Sequence, residues 1–227
     1  MQKILFGIFA HPDDEAFGPV ATLLKEGDAG TELHLIVLTA GENGTNPDNL
    51  PNLGETRLQE WHQAGQLIGT TGMYHLGYTD GTLSNINHLE ITNKIADLVK
   101  ETVAGRDNCE IEFMSLDLNG YTGHIDHIVA ARSACLAFYR LRSQGLPMTR
   151  TRLYCWTRDT QPDTNTDFVY MEPGRLIEEI DETVDASAYL EKAHAVMQTH
   201  VTQRGDYEWT VAKRGDSLAI NHFIVKD

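Results

Sequence analysis

The stretch Ile4-Leu5-Phe6-Gly7-Ile8-Phe9, followed at once by Ala10-His11-Pro12-Asp13-Asp14-Glu15, decides how this chain is read. A short apolar run with no polar alternation reads as a strand buried on both faces, the kind found inside parallel sheets. The chain then turns sharply polar. In open α/β sheets ligands bind beyond the carboxyl ends of the strands. His11, Asp13 and Asp14 therefore stand where such folds place their sites, and His and Asp are both metal-ligand types.

Outward from this strand, which spans about 3–9, a helix is expected over 15–26, with Pro19 tolerable only near its first turn. A second buried strand follows at Leu33–Leu38, then a Gly/Asn/Pro-rich loop over 40–53. Apolar spacing predicts a helix over 54–68, stopped by Gly69, and a short strand at Met73–Leu76. Further helices are expected over 86–103 and 124–143, with a strand at Ile111–Leu116 between them. This alternation predicts an α/β fold: a Rossmann-like three-layer (αβα) sandwich with a mostly parallel sheet. After residue 150 the rhythm changes. Arg152–Trp156 and Phe168–Met171 read as strands, 187–202 as helical with Ser187 as its cap, and Leu218–Val225 as a last apolar run. The expectation is a single domain over 1–227, with a core over 1–156 and a C-terminal strand/helix extension over 157–227.

The chain has 227 residues, enough for such a domain, and 41% of them are hydrophobic. Its net charge of −15 argues against nucleic acid and anionic lipid surfaces as partners. No apolar stretch is long enough to span a bilayer, and Met1-Gln2-Lys3 leaves no room for a signal peptide before the first strand. Cys109, Cys135 and Cys155 are scattered and odd in number, which fits a reducing cytoplasm and small buried hydrophobes rather than a disulfide framework.

A second polar cluster, Gly123-His124-Ile125-Asp126-His127, follows the strand at 111–116 and opens the long helix. If the two strands are neighbours, the two clusters face each other across one crevice. His11, Asp14 and His127 then make a mononuclear metal site with an open position for water, the pattern of catalytic zinc. Zinc lowers the pKa of a bound water to roughly 7. Asp13 would be the base that takes the proton, His124 the donor to a developing oxyanion, and Asp126 the acceptor that orients an imidazole. Each residue also has a plainer reading, since Asp13 could cap the first helix and a lone His at a strand end is often a turn residue.

At these residues the chain resembles the PIG-L / LmbE-like family of zinc-dependent N-acetylglucosamine deacetylases. The resemblance rests on Ala10–Glu15 and His124–His127. It extends to Gly54–Glu60, to Leu76-Gly77-Tyr78-Thr79-Asp80-Gly81, and to Lys192–Gln203 with His200 and Gln203. It implies that His11, Asp14 and His127 hold zinc, with ferrous iron as the alternative. It also implies that Asp13 is the general base and proton donor to the departing amine, and that His124, held by Asp126, stabilises the oxyanion. Arg57, Tyr121 and His200 would contact a small N-acetylated amino-sugar substrate. Some members carry a Tyr two residues before the first His of the second cluster; here that place is Thr122, and Tyr121 is one earlier. Pro19-Val20 also interrupts the Gly-rich stretch usual after the first motif.

Other residues read more plainly. His34 and His75 fit core or edge positions, and His62, His88 and His194 fit solvated helix faces. Glu15 fits a helix start favoured by the dipole. Arg57 and Glu60 could form an intrahelical ion pair. Trp61 and Trp156 fit core packing, and Trp209 a sugar-stacking surface. Three alternatives to deacetylation stay open: an amidase of a larger acyl or thiol-conjugate amide, a non-catalytic sugar-binding protein, and a metal phosphoesterase. The last would want two metals and more carboxylates. A homo-oligomer is compatible with all of them.

Overall fold

The computed structural model describes residues 1–161 and 169–227. The elements run β1 (Gln2–Phe9), α1 (Asp14–Phe17), α2 (Val20–Asp28), β2 (Glu32–Thr39), α3 (Leu53–Ile68), β3 (Gly72–Tyr78) and α4 (His88–Val103). There follow β4 (Cys109–Leu116), α5 (Ile125–Ser143), β5 (Met148–Cys155), β6 (Glu182–Asp185), α6 (Leu190–Met197), α7 (Arg204–Arg214) and β7 (Ile220–Lys226).

Among the described residues seven strands form one sheet in the order β3-β2-β1-β4-β5-β7-β6. β1 to β5 are mutually parallel, and β7 runs antiparallel between β5 and β6. The period-2 alternation of a strand divides each central one between two cores. Leu5, Phe9, Leu33, Leu35 and Val37 face Leu23, Trp61, Ala64 and Val196 of α2, α3 and α6. Ile4, Phe6, Ile8, Ile36 and Leu38 face α4 and α5, whose Ala130, Ala134 and Ala137 let the helix lie close to the sheet. The result is the α/β three-layer sandwich that the apolar runs predict, with helices on both faces of a mostly parallel sheet.

β1 pairs with β2 on one side and β4 on the other, with Gly7 opposite both Leu35 and Met114. The order of connection reverses between β1 and β4, which is the switch point where such sheets open a crevice. The two clusters follow the carboxyl ends of these two strands.

Several local expectations change. The helix expected over 15–26 is two helices, because Pro19 lacks the N–H that a continuous helix would use; Gly18 closes α1 and Pro19 caps α2. The helical stretch at 187–202 is broken into a 3-10 turn at Ser187–Tyr189, α6, and a second 3-10 turn at Val201–Gln203. Ser187 is no helix cap; its hydroxyl donates to Asp185. β6 and α7 are additions to the sequence reading. Of the strand expected at 168–171, Phe168 lies outside the described residues and the other three are not in a strand. His34 is a buried core residue bonded to Glu32 and stacked on Phe6, while His88 is half-buried and bonded to Ser133 rather than solvated.

Candidate active site

The chain leaves β1 through Ala10 and His11, whose amides both donate to Asp14 Oδ2 at 3.0 Å. That clamp turns the Asp14 carboxylate back under the strand end, and its Oδ1 reaches to 3.1 Å from His127 Nε2. His127 sits on the first turn of α5. Its Nδ1 lies 3.0 Å from the Gly120 carbonyl, which can only accept, so Nδ1 carries the proton and the Nε2 lone pair is free. Gly120 holds φ 81° there, a left-handed conformation that suits glycine.

His11 is set the opposite way round. Asp80 Oδ1 stands 2.9 Å and Asp126 Oδ2 3.4 Å from its Nε2, so the proton belongs on Nε2. Neither carboxylate meets the directional requirement of a hydrogen bond. The free lone pair of His11 is then on Nδ1, which faces His127 Nε2 at 3.0 Å. Two lone pairs in that relation, beside an ionised carboxylate, call for a positive charge between them, either a proton shared by the two rings or a metal ion. Donors about 2.0–2.1 Å from a tetrahedral ion stand roughly 3.3 Å apart. His11 Nδ1 at 3.0 Å and Asp14 Oδ1 at 3.1 Å from His127 Nε2 stand close to that spacing, while the other Asp14 oxygen, Oδ2, is farther, 3.9 Å from His11 Nδ1.

The electrostatics agree. Burial alone would lower the His11 pKa, but the Asp126, Asp80 and Asp14 carboxylates reverse this and raise it to about 10. The Asp14 carboxyl is held well below the usual range: burial opposes this, and His127 and His11 overcome it. The pocket thus demands positive charge. His124 could in principle join a three-imidazole set, since its ligand atom lies within 4.8 Å of those of His11 and His127. However, His124 caps α5, and its Nδ1 accepts the Asp126 N–H at 3.1 Å. In the neutral ring the proton is then on Nε2, so His124 is a donor rather than a ligand. Burial, followed by His127 and His11, keeps its pKa below the ordinary value.

Asp13 bears the most unusual backbone of the site, φ 129° and ψ −22°. It makes no side-chain cap to α1; its carboxylate is 2.9 Å from Arg57 Nη2. Burial pushes its pKa up to about 6, against the pull of Arg57. The Arg57 guanidinium also donates to the Gly41 and Pro12 carbonyls, each at 2.8 Å. A Cβ at Gly41, which also has positive φ, would collide with that guanidinium. Arg57 therefore makes no ion pair with Glu60, whose carboxylate instead accepts from the Thr202 amide and hydroxyl.

These groups open into one cavity of about 340 Å³, lined by His11, Asp13, Asp14, Arg57, His124 and His127 among others. Its far wall comes from the C-terminal third, with Gln203, Asp206, Trp209 and Thr210, and Trp156 completes it. Trp156 is thus both core and cavity wall.

Three sequence expectations need correction. Asp126 holds the His124 side chain through its backbone amide and not its carboxylate, which accepts the Gly81 and Leu83 amides at 2.7 and 3.1 Å and faces His11. His200 is not among the cavity-lining residues; it is buried and bonded to Glu15 at 2.9 Å. Glu15 is in turn fully buried, well beyond a helix-start role. Tyr121 does reach the cavity edge, but it is locked flat against Trp156 with ring centroids 4.7 Å apart. In the sequence Asp80 stands out only as part of the Leu76–Gly81 turn. Its place just beyond the carboxyl end of β3 is the signal that could have found it.

Residues 6–138 match the family described as PIG-L: GlcNAc-PI de-N-acetylase. A 1D-myo-inositol 2-acetamido-2-deoxy-alpha-D-glucopyranoside deacetylase of Thermobifida fusca is 27% identical over 257 residues, covering 97% of this chain and 87% of that protein. Among solved structures, the N,N'-diacetylchitobiose deacetylase from Pyrococcus horikoshii superposes with a TM-score of 0.71 at 19% identity, over 99% of this chain and 83% of the other. A 4-carboxy-2-hydroxymuconate hydratase from Pseudomonas putida matches nearly as well, with a TM-score of 0.70 at 15% identity over 100% and 97% of the two chains. The fold therefore carries more than one chemistry, and the reaction has to be argued from the site.

Proposed function

The chain belongs to the PIG-L family, and from that premise we propose that it is a metal-dependent deacetylase acting on an N-acetylglucosaminyl compound. The observation that carries this reading is the convergence of His11 Nδ1, His127 Nε2 and the Asp14 carboxylate beside the Arg57-held carboxylate of Asp13. His11, Asp14 and His127 would hold the ion, zinc or ferrous iron. A divalent ion there supplies Lewis acidity toward the amide carbonyl and lowers the pKa of water.

The remaining chemistry belongs to side chains of this chain. Asp13, with its pKa near 6, takes the proton of the attacking water and returns it to the departing nitrogen. Arg57 keeps the Asp13 carboxylate from turning away. The His124 Nε2–H is left over to donate to the oxyanion that develops on the amide. Asp126 and Asp80 set negative charge beside the Nε2 side of the His11 ring. Trp156 and Trp209 offer apolar faces, and Gln203 and Thr210 polar groups, to a sugar ring. Tyr121, stacked and buried, shapes the wall rather than swinging over the substrate.

We read 1–227 as one domain, because β7 from the C-terminal third pairs directly with β5. A cytoplasmic location fits three unpaired cysteines. Among the described residues no helix is long and apolar enough to cross a membrane. The test is acetate release over a panel of N-acetylglucosamine conjugates, with protein stripped of metal and then reloaded with zinc or ferrous iron. Release that appears only on reloading supports the reading. Cleavage restricted to larger acyl amides, or none at all by the reloaded protein, would overturn it.

A further inference from the structure

The positive φ of Asp13 is a conformation that residues with a side chain rarely adopt. Such strain persists only where the surroundings over-determine the residue. Three anchors do so here. The Asp13 carbonyl accepts the Ala16 and Phe17 amides at 2.8 and 2.9 Å. Its carboxylate is tied to Arg57. Its amide donates to Glu15 Oε2 at 3.1 Å.

The third anchor leads away from the cavity. Glu15 is wholly shielded from solvent, and its other oxygen lies 2.9 Å from His200 Nε2, a side chain equally shielded and 185 residues further along the chain. A carboxylate so deep needs a partner on each oxygen, and these two contacts supply them. His200 is itself braced. Just beyond it, the Thr202 amide and hydroxyl donate to Glu60 on α3 at 2.9 and 2.6 Å. Gln203 Nε2 then donates to the Thr45 carbonyl at 2.9 Å. Neither Glu15 nor His200 is among the cavity-lining residues.

We propose that Glu15 and His200 are a positioning pair: His200 fixes the Glu15 carboxylate, and Glu15 holds the Asp13 amide so that the Asp13 carboxylate stays turned into the cavity. The C-terminal segment would then do more than wall the cavity, since it sets the geometry of the base through a buried relay. This rests on the reading of Asp13 as the base.

The test uses the metal-loaded 227-residue chain with N,N'-diacetylchitobiose and N-acetylglucosamine as probes. The double variant Glu15→Met/His200→Leu replaces the buried pair with apolar groups of similar volume, an exchange that folded proteins often tolerate. It should keep its metal and its KM but lose about 10²-fold in kcat, the cost of a misplacement of about 1 Å. Glu15→Gln keeps an acceptor for the Asp13 amide and should recover most of that loss. Independently of any substrate, a crystal structure of the double variant should show Asp13 relaxed to negative φ. A folded double variant with wild-type kcat, or with Asp13 still at its wild-type φ, overturns the proposal. The base reading fails separately, if Asp13→Asn keeps its turnover.

Discussion

Glu26→Gln removes one carboxylate from an ion network at the opposite end of the sheet from the cavity. Glu26 lies 2.7 Å from Arg152 and 3.0 Å from Lys3. Burial would raise its pKa, but Arg152, Thr31 and Lys3 bring it from 4.5 down to about 2. Its side chain is only 14% exposed, so solvent screening is slight. A folded pKa below the unfolded one means stability that is fully present above about pH 4.5 and lost as pH falls through about 2. The drop from 4.5 to about 2, at about 1.4 kcal/mol per pH unit, is worth about 3 kcal/mol. Urea titrations of wild type and variant between pH 7 and pH 2.5 measure it. The variant should be less stable by about 3 kcal/mol at pH 7, and the gap should close as the wild type protonates. Acetate release by the folded variant at pH 7 should match wild type. A stability gap of constant size across that pH range would refute the reasoning, because it would place the cost in packing rather than in the charge.

Asp13→Asn should lose turnover while retaining its metal, checked by elemental analysis beside the acetate assay. His124→Ala should lower kcat by roughly 10²–10³ with little change in KM, the signature of a lost oxyanion donor; a change in KM alone would contradict the role. Trp209→Ala should raise KM for sugar substrates and leave kcat close to wild type, since it removes a wall that binds the ring before and after reaction alike.

How much of this was legible in the sequence follows from the range of the interactions. β1 and β2 are buried on both faces, so their apolar runs announce them without reference to neighbours. The juxtaposition of His11 and Asp14 with His127 was legible because each cluster directly follows such a strand. The break at Gly18-Pro19 was half visible, as proline's missing donor forbids a continuous helix while saying nothing of where the next begins. β6 is four residues long at a sheet edge, too short for a period to show. α7 carries Arg204, Asp206, Glu208, Lys213 and Arg214 and buries only Thr210, so its apolar stripe is faint. The sequence shows His200 but not its work, because its partner Glu15 is brought to it only by the fold. Asp126 divides its work in a way only the fold reveals: its amide reaches His124, while its carboxylate is taken by the turn at Gly81 and Leu83 and faces His11.

Metal content measured beside acetate release, on the same preparations of wild type and His127→Ala, bears most directly on whether the two strand-end clusters share one ion. Wild type should hold one equivalent and turn over. His127→Ala, which deletes a lone pair facing His11 at 3.0 Å, should hold none and be inactive. A His127→Ala protein that retains a full equivalent of metal and normal turnover would contradict the account.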